Sequence, residues 1–273
     1  MQTIKTLKKM KQDKEKIVMI TAYDYPSSRF VSEAGADLIL VGDSLGMVIL
    51  GYKDTLKVTL DNMIYHTRAV TRGAPDTFTV ADLPYMSFHL GIKETKINAS
   101  RLMLEGNANA VKLEGGKPSR LEMIKAITDI EIPVVAHLGL TPQSINTLGG
   151  YKVQGKDNKD YIWILDQAKS IEQAGAFMLV LEGIPEKLGK EISESLSIPT
   201  IGIGAGRYTD GQVLVYHDLL GMSDFKPKFV KEYMNLKIDI SSNLTTFVND
   251  VKNNKFPNEE NVYFPLEQID KEK

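Results

Sequence analysis

The sequence predicts an α/β protein, a closed (β/α)8 barrel. Apolar runs alternate with helical stretches until eight strand-like segments have passed, the pattern of buried parallel strands joined by helices. The 273 residues suit one such barrel or two small domains. Five of the runs end in residues suited to chemistry: LILVGDS (Asp43, Ser44), TFTVADL (Asp82), AVKLEGG (Lys112, Glu114), PVVAHLG (His137) and LVLEG (Glu182). Strand carboxyl ends converge at one end of a parallel barrel or sheet, where α/β sites form.

The first strand is IVMITAYD (17–24), followed by a short helix that Pro26 opens and Gly35 closes. ADLILVGD (36–43) is the second. Thr59 caps a helix bearing Leu60, Met63, Ile64 and Val70, ended by Gly73. TFTVADL (77–83) is the third strand, and 93–107 the helix after it. AVKLEG (110–115) is the fourth, and Pro118 starts a helix bearing Leu121, Ile124 and Ile127. PVVAHLG (133–139) is the fifth, and a stripe of Tyr161, Ile164, Leu165, Ala168 and Ile171 marks the following helix. FMLVLEG (177–183) is the sixth, and Pro185 opens a helix bearing Leu188, Ile192 and Leu196. IPTIGIGAG (198–206) and QVLVYHD (212–218) complete the set, with too short a link between them for a normal helix.

Two connections are long. Residues 45–58 are expected to form a small hairpin over the pocket, and residues 139–158, with Gly149, Gly150 and Gly155, a mobile lid. A single barrel domain over 1–273 is expected, with an N-terminal helical extension (1–16). The tail (223–273), helical in part, packs outside the barrel.

Composition narrows the function. A net charge of −2 gives no basic footprint for nucleic acid. The absence of cysteine excludes a disulfide framework, thiol catalysis and thiolate metal sites, and fits a reducing compartment. The N-terminal MQTIKTLKKMKQDKEK lacks the apolar core of a signal peptide. No apolar run is long enough to span a bilayer, and a cytoplasmic protein without membrane or nucleic-acid partners is expected.

Asp43, Asp82 and Glu114 offer hard oxygen donors, which match Mg²⁺ or a similar divalent cation held by a few carboxylates, water and substrate. Each alone reads equally as a helix cap or a solvated strand end; three on neighbouring strands favour the metal. Lys112 and Glu114 share a strand face by period two. The lysine suits a substrate carboxylate or a buried ion pair. Glu182 ends an apolar run, and an apolar surround raises a carboxyl pKa, as a general base requires; its alternative is support for the next helix. His137 reads as a hydrogen-bonded or substrate-contacting group, and Ser44 as a donor to substrate or a cap. For Tyr23, Asp24, His66, His89 and His217 structural roles lead. GIGAG (202–206) with Arg207 is a weak anion-loop signal.

With these residues in place the chain resembles the ketopantoate hydroxymethyltransferase family. The resemblance rests on MITAYDYPSSR, LILVGDSLGMVILGY, TLDNMIYHTRAV, VADLPYMSF, AVKLEGG, IPVVAHLGLTPQSINTLGGYKVQGK, LVLEGIP and IPTIGIGAGRYTDGQVLVYHDLLGM, roughly residues 3–222. The tail matches less, with Asn261 where the family is expected to carry His. The resemblance implies a barrel of the phosphoenolpyruvate-mutase-like group and a homo-oligomer, usually a decamer. It implies that Asp43 and Asp82 bind Mg²⁺ with Glu114 as third acid, and that Asp43, Ser44, Asp82 and Lys112 hold the keto acid. It also implies that Glu182 accepts the proton. The implied reaction moves a hydroxymethyl group from 5,10-methylenetetrahydrofolate to 3-methyl-2-oxobutanoate through a Mg-stabilised enolate, giving 2-dehydropantoate for pantothenate synthesis. The rivals are a lyase or mutase of the same group, and a barrel that binds keto acid or folate without turnover. The lack of cysteine argues against isocitrate-lyase-type enzymes.

Overall fold

A computed structural model of the chain describes residues 2–224 and 226–264. Its strands are β1 (Ile17–Thr21), β2 (Leu38–Val41), β3 (Phe78–Asp82), β4 (Ala110–Glu114), β5 (Val134–Gly139), β6 (Met178–Glu182), β7 (Thr200–Ile203) and β8 (Gly211–Leu214). All pair in parallel in chain order, and β8 returns to β1 to close the barrel. The helices are α1 (Ile4–Gln12), α2 (Tyr25–Glu33), α3 (Leu45–Val48), α4 (Leu60–Gly73), α5 (Ile92–Leu104) and α6 (Pro118–Thr128). They continue with α7 (Ile145–Leu148), α8 (Asn158–Gln173), α9 (Glu186–Ser195), α10 (Tyr216–Leu219) and α11 (Leu236–Lys252).

Period-two alternation sorts the strand residues into two cores. Leu38, Leu40, Val80, Ala110, Val135, Val180, Ile201 and Val213 meet inside the barrel, joined by Leu7 and Met10 of α1. The intervening Ile39, Val41, Ala81, Val111, Leu113, Ala136 and Leu181 pack outward with helix residues such as Met63, Leu102, Ile124 and Ala168. Continuing the inner parity towards the strand ends replaces apolar residues with Asp82, Lys112, Glu114, His137 and Glu182. The barrel is therefore filled by hydrocarbon below and lined by charge above.

The helix starts follow local chemistry. Thr59 accepts from the Asn62 N–H in a capping box at α4, and Asp24 does the same for Ser27 at α2. Segment 45–58 departs from the expected hairpin. The backbone of 45–48 turns into α3, the Tyr52 N–H returns to the Gly46 carbonyl at 2.7 Å, and Gly46 lies so near Val58 that a Cβ there would come within 2.6 Å of it. A close fold-back onto a glycine leaves no room for two paired strands. The eighth strand also ends earlier than expected, at Leu214, and His217 lies in α10. No helix is interposed between β7 and β8.

Outside the barrel, α11 has no buried residue, and Ile240, Leu244, Phe247, Val248 and Val251 are all exposed. Asn261 lies in a single 3-10 turn, where its Oδ1 accepts from the Asn258 N–H at 3.4 Å. Residues 265–273 of the expected tail lie outside the described residues. Among the described residues no helix is long and apolar enough to cross a membrane.

Candidate active site

Strand register builds the site. Asp82 on β3 pairs with Lys112 on β4, Glu114 on β4 with His137 on β5, and Gly139 on β5 with Glu182 on β6. Side chains of adjacent inward positions on neighbouring strands thereby meet. Lys112 Nζ lies 3.0 Å from Asp82 Oδ1, with both side chains buried. His137 Nδ1 lies 3.6 Å from Glu114 Oε1 and its Nε2 3.2 Å from Glu182 Oε2. Neither ring nitrogen is aligned for a full hydrogen bond. Glu182 is the most open of these acids, its side chain 16% exposed.

Asp43 follows β2, and its backbone N–H donates to Asp82 Oδ2 at 3.0 Å. This approach needs Gly42. A Cβ there would stand 2.8 Å from Ser44 Oγ and 3.5 Å from Asp82 Oδ2. Ser44 makes no side-chain cap to α3. Its hydroxyl shares a 2.7 Å hydrogen bond with the buried Tyr23 hydroxyl instead. Tyr23 belongs to the site's support, a link that the sequence does not signal.

Gln143 is the larger omission. It is buried in the turn after β5, where its Nε2 donates to Asp43 Oδ2 at 2.8 Å and to the Leu83 carbonyl at 3.0 Å. Its backbone N–H donates to Glu114 Oε2 at 3.0 Å. One residue thus ties β2, β3 and β4 together across the pocket. The start of the segment expected to be a lid is part of the wall.

Burial raises the pKa of Asp43 well above the usual carboxylate range, reinforced by the charges of Asp82 and Glu114. Burial also raises Asp82, against the opposing pull of Lys112. Desolvation disfavours the Lys112 ammonium, yet Asp82, Glu114 and Asp43 outweigh it and raise its pKa. Burial and Lys112 oppose a charge on His137; Glu114 and Glu182 prevail and push it up to about 9. Glu182, expected in an apolar surround, has its Oε2 facing this ring.

The remaining histidines stay outside this cluster. His66 Nδ1 contacts the Tyr23 carbonyl at 2.6 Å. His217 packs against Tyr23 and Tyr216, and burial lowers its pKa. His89, lowered to about 4 by burial and by Arg120, packs on Phe88. The GIGAG loop is explained by close packing: a Cβ on Gly204 would meet the Phe229 ring, and one on Gly206 would meet Glu186. Arg207 is held by both Glu186 oxygens at 2.9 and 3.0 Å, so the anion-loop signal finds no free cation there.

Among the described residues no three His, Asp or Glu side chains form a ready-made metal cage. Glu114 has one oxygen on Gln143 and the other facing His137. Asp43 and Asp82 remain as two adjacent carboxylates whose ionised forms are disfavoured by burial, and further by the charges of Asp82 and Glu114 on Asp43 and of Glu114 on Asp82. A small divalent cation that uses one or two carboxylates and keeps its waters fits that donor set and relieves that repulsion.

Residues 1–259 match the family described as ketopantoate hydroxymethyltransferase. A relative from Geobacillus sp. (strain WCH70), bearing the name 3-methyl-2-oxobutanoate hydroxymethyltransferase, is 56% identical over 250 residues, 91% of this chain and 89% of its own. One of the same name from Geobacter metallireducens is 53% identical over 258 residues, 94% and 96% of the two chains. Among solved structures, phosphoenolpyruvate phosphomutase from Streptomyces platensis subsp. rosaceus superposes with a TM-score of 0.64 at 14% identity, covering 97% of this chain and 93% of that one. A phosphonopyruvate hydrolase in complex with oxalate and Mg++ gives 0.60 at 12% identity, covering 96% and 93%. These two likenesses show the fold alone, a closed parallel barrel.

Proposed function

The chain belongs to the ketopantoate hydroxymethyltransferase family and is a transferase enzyme, and from that premise we propose that it condenses 5,10-methylenetetrahydrofolate and water with 3-methyl-2-oxobutanoate. The products are 2-dehydropantoate, an intermediate of pantothenate synthesis, and tetrahydrofolate. The observation that carries this reading is the division of the pocket. On one side a buried ammonium stands beside two crowded carboxylates, Lys112 with Asp82 and Asp43. On the other, a partly open carboxylate, Glu182, stands beside a cationic imidazole.

A keto acid needs positive charge at its carboxylate and keto oxygens. Lys112, held cationic by its acid neighbours, pairs with the substrate carboxylate or the developing oxyanion. Ser44, oriented by Tyr23, donates to a substrate oxygen, and Asp43 and Asp82 border the same position. Asp43 and Asp82 are the residues to hold Mg²⁺, with Glu114 the third acid and Gln143 fixing two of the three. The ion, when bound, supplies Lewis-acid polarisation of the substrate's oxygens. The oxalate and Mg++ of the hydrolase with this fold support an oxygen-rich ligand of that kind. Glu182 removes the proton from the tertiary carbon beside the ketone, and His137 positions it. Water cleaves the two C–N bonds of the folate's one-carbon bridge, its oxygen leaving as formaldehyde and its protons going to the nitrogens of tetrahydrofolate; the enolate carbon then adds to the formaldehyde carbon, and the alkoxide formed takes back the proton held by Glu182. The segment 139–158 excludes bulk water until transfer is complete.

Assembly belongs to the same reading. Helices draw most of their stability from packing an apolar face, and among the described residues α11 has no fully buried residue. The exposed apolar face of α11 supports a homo-oligomer, with the decamer of the family as its form. The lack of cysteine supports a cytoplasmic setting.

The test supplies 3-methyl-2-oxobutanoate, 5,10-methylenetetrahydrofolate and Mg²⁺ and measures ketopantoate. Chelation is expected to stop turnover, and Glu182→Gln to lower kcat by about 10²–10⁴-fold. Absence of product, or product undiminished in Glu182→Gln, overturns the reading.

A further inference from the structure

A cavity of about 300 Å³ opens between the segment that follows β2 and the segment that follows β5. Lys53, Asp54, Ile145, Asn146, Gly149, Gly150 and Tyr151 line it. No role has been given above to the side chain of any of these residues. The cavity nevertheless adjoins the pocket. The Tyr151 hydroxyl donates to Met47 Sδ at 3.6 Å, which links the two segments over the mouth. Burial raises the Tyr151 pKa, and the charges of Asp54, Glu182, Asp43 and Glu114 all reach it. The second segment begins at Gln143, which is hydrogen-bonded to Asp43.

The lining has a definite chemistry. Asp54 Oδ1 accepts from the Leu56 N–H at 3.0 Å, which fixes the carboxylate and leaves Oδ2 without a partner among the described residues. The Asn146 side chain is exposed and makes no hydrogen bond among the described residues. Gly149 and Gly150, at φ 66° and 117°, hold left-handed backbone and form a wall without side chains. Tyr151 adds an aromatic face. A side-chain-free wall, an aromatic ring, a fixed carboxylate acceptor and a free amide suit a flat heteroaromatic ring with N–H donors on one edge. The keto acid does not meet this description. It has no N–H group for Asp54 and no ring for Tyr151, and the exposed Lys53 at the rim suits the anionic tail of a larger ligand.

We propose that this cavity binds the reduced pterin ring of the one-carbon donor, with Asp54 accepting from its amino-pyrimidine edge and Tyr151 packed on its face. The assignment rests on the folate-dependent reading above and adds to it a location and a mode of recognition. It also places the donor beside the mouth that Glu182 faces, without displacing the keto acid.

Calorimetric titration of the full-length protein with tetrahydrofolate tests it, with Mg²⁺-dependent binding of 3-methyl-2-oxobutanoate as the internal control. Asp54→Asn keeps an oxygen for the Leu56 N–H but turns the free acceptor into a donor. It is expected to weaken tetrahydrofolate binding about tenfold or more, as loss of a charge-assisted bond does, and to raise KM for the donor. Keto acid binding is expected to stay within about twofold of the parent value. Tyr151→Leu is expected to act in the same direction, and a tetrahydropterin without the glutamate tail to compete with tetrahydrofolate. Unchanged tetrahydrofolate affinity in Asp54→Asn, or no competition by the tail-less pterin, overturns the assignment. A parent protein that binds keto acid but no tetrahydrofolate overturns the folate-dependent reading itself.

Discussion

The His137 imidazole stands between two carboxylates, 3.2 Å from Glu182 and 3.6 Å from Glu114. Its pKa rises from an ordinary 6.5 to about 9 despite burial and the repulsion of Lys112. A base with a raised folded pKa contributes stability that is complete below about pH 6.5 and is lost as pH rises through about 9. Metal-free protein is therefore expected to lose Tm across that interval, and His137→Asn to flatten the slope. Thermal melts at a series of pH values measure this; an unchanged slope in the variant would assign the titration to another group.

Gln143 gives a second prediction. Its side chain donates to Asp43 and the Leu83 carbonyl, and its backbone N–H to Glu114. Gln143→Ala keeps the backbone bond to Glu114 and removes the two side-chain bonds. Loss of a partner that orients a ligating carboxylate typically costs about 10–100-fold in metal affinity. The Mg²⁺ concentration needed for half-maximal activity is expected to rise by that factor. An unshifted Mg²⁺ dependence would mean that Asp43 is held without it.

Lys112 and Asp82 form a buried pair at 3.0 Å. Lys112→Met leaves the Asp82 charge without its partner, which costs about 3–5 kcal/mol in buried pairs. Chemical denaturation of metal-free protein is expected to show a loss of this order, together with a loss of keto acid binding. A loss below about 1 kcal/mol would show that Asp82 is balanced by other groups.

Gly42 gives a fourth. Alanine there brings a methyl group to 2.8 Å from Ser44 Oγ, closer than side chains tolerate, and Ser44 or Asp82 must move. Gly42→Ala is expected to lower kcat/KM by about tenfold or more, since small misplacements in a site are costly, while far-ultraviolet circular dichroism stays that of the parent. Parent-like activity would show that the Ser44 position is not critical.

The barrel was legible because parallel strands covered on both faces read as apolar runs, and because Asp82, Lys112, Glu114, His137 and Glu182 fall on the inner parity of their strands. Period two then carries each inward without knowledge of the loops. What was not legible lies in the connections. Gln143 reaches Asp43 across 100 residues of sequence, and nothing local marks it. Segment 45–58 was expected as a small hairpin. The packing of Gly46 against Val58 folded it instead, a tertiary contact that overrides propensity. Ser44 had a valid local reading as a cap, and the distant Tyr23 hydroxyl claimed it.

The seam between β1 and β8 joins Ile17 to Gly211 and Met19 to Val213. Every residue of the pocket is synthesised before the strand that closes the ring. Until β8 emerges and pairs, β1 and β7 are open edges and the inner face has no fixed curvature. The site is thus a product of closure rather than of any one βα unit. Truncations that stop short of β8 retain every acid and base of the site in sequence and lack the wall that holds them in register.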